Sequence, residues 1–264
     1  FISSNQTVRV DENSVLLRAT LFKLINKSVS NTERAKYIKM LWDLGSERNI
    51  LKAISLAIKN NTLSLYPDEK LNWFNFIAFK SLLLSNEIEA AKKWIFYGTS
   101  DAKERAKVDV NFCKLLIMLY LYDNNAKFSY NEFIDIGYLL KTLDNDLNVD
   151  QEDLLKLILT IKAFEGEVPE LMWETFIKKQ ILNEKTLIFF RHEANKYFLL
   201  DEAVKKENLA KAALLSINLL QSESGLKKDF YSYYKGLNGL FLVGLGQYAR
   251  QYAIEENFSF LSNE

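Results

Sequence analysis

His192 is the only histidine among 264 residues, and with Glu193 it begins like a helical zinc motif. That chemistry needs a second imidazole four residues on, where this chain has Lys196. With no other histidine, neither a histidine-based zinc site nor a Ser-His triad can be assembled. Cys113 is likewise alone, which excludes an intrachain disulfide and a thiolate metal cluster. It stands in the apolar run from Phe112 to Met118, so it reads as a buried thiol rather than a reactive one. Asp144 to Asp150 places oxygen-bearing side chains on alternate residues, as calcium loops do. The loop's glycine and bidentate acid are replaced by Val149 and Leu155, so the stretch reads as an acidic turn in which Asn148 or Asp150 caps the next helix. Glu165 and Glu167 flank Gly166 just before Pro169. Glycosidase acids must face each other across a cleft at a set distance, and these two read as a solvated loop. We assign no catalytic residue, no metal ligand and no cofactor.

Recognition chemistry is better represented. Phe230-Tyr231-Ser232-Tyr233-Tyr234-Lys235 is followed by Phe241, Tyr248 and Tyr252. On a helix, Phe230, Tyr233 and Tyr234 share a face that continues toward Leu237 and Phe241, with Tyr231 and Lys235 on a neighbouring face. Tyrosine suits a contact surface because its body is rigid and apolar and its tip is polar. Aromatics at helical spacing also build cores, and 13% of this chain is aromatic, so both roles stay open at this point. The candidate partner-binding residues are Tyr231, Tyr234, Lys235, Tyr248 and Tyr252. Interleaved aromatics and cations also suit RNA stacking. Against that, 34 basic and 34 acidic residues cancel, and no repeated side-chain code is visible.

These residues must be positioned by helices. Hydrophobic residues make up 48% and charged residues 26%, and a chain of this length buries roughly three quarters of its unfolded surface. No segment reaches the ~18 to 20 apolar residues of a membrane span, and Phe1 to Thr7 does not read as a signal peptide. The lack of disulfides fits the cytoplasm and leaves a periplasm open. Apolar residues at helical spacing predict a first helix over about 12–27. Ser30 and Glu33 read as a capping box opening a second, which Gly45 ends as a left-handed stop. A third runs from Ile50. Pro67, Asp68 and Glu69 open another, which continues to about Leu84, turns at Ser85-Asn86 and returns to Tyr97. More are predicted near 108–122, 130–143, 150–164, 169–181, 185–200, 207–221, 225–243 and 246–255, with no strand pair. The expectation is an all-α chain. One continuous unit over 1–264 is favoured, with a polar lead-in at 1–11, a polar tail at 256–264 and the softest join at 122–131.

Within this pattern, Phe74, Ile77 and Ala78, then Ala90 and Trp94, stand where a tetratricopeptide-type helix hairpin places its large and small residues. Residues 74–94 therefore resemble that repeat, although Ser81 replaces its usual tyrosine and no proline closes the unit. The stretch from Leu242 to Ala253 looks like the turn and second helix of another, with Gly236 and Gly239 allowing a tight crossing on the helix before it; this second likeness covers 236–253. Helix starts elsewhere are uneven, so no regular array is present. The resemblance implies an irregular α-solenoid of stacked antiparallel helix hairpins, roughly six of them. It also implies protein binding and transfers no catalytic residue. The expected function is a non-catalytic scaffold or adaptor presenting a groove to a peptide or protein partner. The alternatives are a permanent structural subunit of a larger, possibly cell-envelope, assembly, and a carboxylate-dependent enzyme with a helical cavity.

Overall fold

The computed structural model describes residues 15–46, 50–99, 101–123, 135–146, 149–174, 184–221 and 230–262, with backbone only at 184–194 and 259–262. Among the described residues the chain is all-α: thirteen α-helices, a further helical stretch at 170–174, one 3-10 segment and one π segment, and no strand. Contacts divide it into two compact units, Phe1–Ser100 and Asp101–Glu264. The softest join expected from sequence, 122–131, lies almost wholly outside the described residues.

The first unit contains α1 (Val15–Lys27), α2 (Asn31–Ser46), α3 (Leu51–Leu63), a 3-10 segment (Glu69–Phe74), α4 (Asn75–Leu84) and α5 (Ile88–Ile95). Each helix packs on the next in sequence. Eight consecutive residues of α4, Ile77 to Leu84, are buried, as befits a helix enclosed on all sides. The helix expected to begin at Pro67 starts instead as the 3-10 segment. The Asp68 carboxylate accepts from the Leu71 amide at 2.9 Å and the Asp68 carbonyl takes the same amide at 3.0 Å, which closes the tighter turn. Gly45 also departs from expectation. It stays helical and buried in α2, and a Cβ there would overlap Ile54 Cδ1 of α3. Its role is close approach, not a left-handed stop.

Helix α4 ends in the turn expected at Ser85-Asn86, with Asn86 left-handed at φ 68°. The Glu87 amide donates to the Leu82 carbonyl at 2.8 Å and the Asn86 amide to Leu83 at 3.0 Å, the hydrogen-bond pair of a Schellman turn. Across this hairpin, the Phe74 and Trp94 rings meet edge-on at 5.7 Å. Ala78 is fully buried as expected, but the buried alanine of α5 is Ala91, not Ala90. Ala91, Trp94 and Ile95 form the inward face, which leaves Ala90 at its edge.

The second unit contains α6 (Ala102–Val108), α7 (Val110–Tyr122), α8 (Ile136–Asp144), α9 (Gln151–Ala163), a helical stretch at 170–174, α10 (Glu184–Lys205), α11 (Leu209–Leu220), α12 (Phe230–Leu240), the π segment (Phe241–Leu245) and α13 (Gly246–Ser262). Aspartates start four of its helices: Asp101, Asp109, Asp135 and Asp150 each accept from amides of the first turn, offsetting the positive helix end. Helix α7, buried from Leu115 to Leu121, is wrapped by α6, α8 and α13. Cys113 is buried there, and burial pushes its thiol up to about 12.

Two features shape the end of this unit. Gly236 and Gly239 of α12 face α11: a Cβ at Gly236 would stand 2.9 Å from the Ser216 carbonyl, and one at Gly239 would overlap Ser216 Oγ. The tight crossing anticipated from these glycines is present. At Gly244, φ is 83° and the helix breaks. Tyr233 and Asn257, 24 residues apart, are joined by a 3.1 Å hydrogen bond. In one straight helix they would lie about 36 Å apart, so the chain doubles back.

Candidate functional site

The doubled-back C-terminal pair carries all five candidate residues. Tyr233, between them in sequence, is core: its ring is 2% exposed. Its hydroxyl lies 3.1 Å from Thr160 Oγ1 of α9 and accepts from Asn257 Nδ2. Thr160 spends its single proton on the Lys156 carbonyl at 2.8 Å, so Tyr233 is the donor to Thr160. Burial pushes the Tyr233 hydroxyl well above its ordinary range.

Tyr231, Tyr234 and Lys235 fall on the partly buried stripe of the same helix. The Tyr231 ring meets Tyr197 of α10 edge-on at 4.9 Å and lies 6.1 Å from Tyr234. Lys235 Nζ sits 5.9 Å from the Tyr231 ring centre and donates to both carboxylate oxygens of Asp201, at 2.8 and 2.9 Å. Burial pulls the Lys235 ammonium down, but the Asp201 hydrogen bond, with Tyr231 and Tyr234 adding to it, leaves it above its usual value. Burial raises Tyr234 despite the opposing Lys235 charge. Both shifts lead away from neutrality.

The other two candidates stand apart in role. The Tyr252 hydroxyl donates to the Leu220 carbonyl at 3.2 Å, tying α13 to the end of α11. Tyr248, one turn earlier, is 70% exposed. Sequence reasoning missed Asp201 and Tyr197, which complete the cluster from α10. Their i, i+4 spacing on a helix is the only local sign of them, and nothing in it points to α12.

Elsewhere on α13, Arg250 stacks on Phe164 at 4.5 Å and donates to the Leu121 carbonyl at 3.0 Å. This places a cation at the C-terminal end of α7, where the helix dipole favours it. Burial lowers its pKa.

The other sequence candidates resolve locally. Asp150 caps α9, accepting from Glu152 and Asp153, while Leu147 and Asn148 lie outside the described residues. Glu165 adopts φ 59° in the turn after α9, where a Cβ on Gly166 would meet Ile161 and Tyr120. His192 and Glu193 lie in α10, with side chains outside the description. Among the described residues no group of three or more His, Cys, Asp or Glu could hold a metal, and no helix is long and apolar enough to cross a membrane. No protein-family model, curated protein or solved structure matches the chain.

Proposed function

We propose that this chain is a non-catalytic recognition module, an irregular α-solenoid of tetratricopeptide-like helix hairpins that holds a protein or peptide partner on its C-terminal hairpin. The observation that carries this reading is the side-by-side placement of Tyr231, Tyr234, Lys235 and Asp201 at the surface of α10 and α12. Partly buried tyrosines lose little conformational entropy on contact, which favours their use in binding. A crosslinking pull-down from native lysate, with wild type beside folded Tyr234→Ala and Tyr231→Ala/Lys235→Glu variants, tests it. Loss of a specific partner in the variants is expected. A partner retained by all three proteins moves the site off this surface, and no partner for any of them removes the reading.

A permanent place in a larger assembly is the second reading. It is favoured by large apolar side chains left in solvent on α10 and α11: Phe198 at 68%, Leu209 at 57%, Leu214 at 69% and Ile217 at 42% exposure. Apolar exposure of this kind marks stable interfaces when it is contiguous. Native mass determination of Leu214→Lys/Ile217→Lys beside wild type separates the two readings, because only an obligate assembly dissociates.

A further inference from the structure

The more exposed member of the ion pair at this surface is the anion. Asp201 and Lys235 are paired, but the lysine side chain is 17% exposed and the aspartate 53%. An ionised carboxylate offers about four lone-pair positions, and Lys235 Nζ takes one on each oxygen. Further donors can therefore approach Asp201 from solvent. Next to it stand two aromatic rings, Tyr231 and Tyr234, inclined at 40° to each other. Tyr234 packs on the cluster of Leu237, Leu240 and Ala253 and is itself only partly buried.

One side chain satisfies a ring face and a carboxylate edge together. A guanidinium is planar, stacks on aromatic rings and donates a rigid fork to a carboxylate. An ammonium is a compact point charge, and Lys235 already fills that role. An acidic or phosphorylated segment would meet Asp201 as a like charge.

Building on the recognition reading above, we infer that this surface takes an arginine side chain from the partner, stacked beside Tyr234 and hydrogen-bonded to Asp201. Lys235 then acts as a positioning residue, holding the carboxylate toward solvent.

The test is a selection from a random displayed peptide library against the full chain. Selected peptides are measured by fluorescence polarisation against wild type, Asp201→Asn and Tyr234→Ala. Arginine should be enriched, and Asp201→Asn should weaken binding about tenfold through loss of a charge-assisted pair. Arg→Lys within a selected peptide should cost about fivefold. Asp201 is half exposed, so its Asn variant remains informative if Tyr234→Ala proves unstable, and Tyr234→Leu then replaces the latter. Peptides that lose binding with Tyr234→Ala but lack arginine, or ignore Asp201→Asn, would overturn the arginine assignment and leave the recognition surface standing. Peptides indifferent to every variant, or no selected peptides at all, would overturn both.

Discussion

Asn257 Nδ2 donates to the Tyr233 hydroxyl at 3.1 Å and to the Ala253 carbonyl at 2.8 Å, linking the two arms of the C-terminal reversal. Through Thr160 the same network reaches α9. Just outside it, Lys156 donates to the Glu256 carbonyl at 2.8 Å and pairs with its carboxylate at 3.2 Å. The hairpin that presents Tyr231, Tyr234 and Lys235 is thus registered by buried polar bonds as well as by apolar packing. Apolar packing alone tolerates sliding, whereas directional bonds do not.

Tyr233→Phe removes a donor to Thr160 and an acceptor for Asn257 without changing shape. Both partners are left buried, so the cost should be about 1–2 kcal/mol. A urea midpoint lowered with unchanged slope is the expected result. An unchanged midpoint would show that the network carries no net stability.

Gly236→Ala should be costly for a different reason. The added methyl would press on the Ser216 carbonyl, which is backbone and cannot rotate away, and on Leu220. Prying α11 and α12 apart should cost about 1–3 kcal/mol, read as a lowered melting temperature. Gly98, where nothing lies within 4 Å of a Cβ but φ is 67°, supplies a contrast: its alanine variant meets backbone strain alone.

Glu207→Gly should stabilise the protein. Glu207 holds φ 53° in a Schellman turn between α10 and α11, with the Asn208 amide on the Ala203 carbonyl at 2.9 Å. A left-handed L-residue costs about 1–2 kcal/mol, and glycine's extra chain entropy returns part of it. A net gain of about 0.5–1 kcal/mol should appear in chemical denaturation.

Alkaline stability should carry the signature of Cys113. Burial raises its thiol from 9.0 to about 12. Below pH 9 the thiol is protonated whether the chain is folded or not. Between those values the unfolded chain loses a proton that the folded chain keeps, so stability falls with rising pH, by up to about 4 kcal/mol across the window. Tyr233, also raised by burial, adds a decline of the same sign at higher pH. Cys113→Ala should flatten the slope between pH 9 and 10. In the folded protein the thiol should resist Ellman's reagent, and rapid native labelling would contradict its burial.

Much of the fold is legible in the chain. Helices expected near 108–122 and 150–164 are α7 and α9, because continuous apolar runs bounded by Asp109 and Asp150 carry both the burial and the cap. Helix ends were harder to read where glycine was the guide. Gly45 serves packing, while Asn86, Glu165 and Glu207 take left-handed turns as Gly98 and Gly244 do. A residue's tolerance for positive φ does not determine where a turn falls once several hydrogen bonds reward it.

Sequence by itself determined the all-α character, the single histidine and single cysteine, and the place of Tyr231, Tyr233 and Tyr234 on one helix. These follow from side-chain type and a 3.6-residue period, both local. Only tertiary structure decided which tyrosine is core and which is surface. Tyr233 and Tyr234 differ by one step of helical rotation, yet α9 and α13 enclose one with hydrogen bonds and leave the other partly exposed. Asp201, 34 residues from Lys235, joins the site only because α10 and α12 lie side by side, a juxtaposition set by long-range packing that no local spacing encodes.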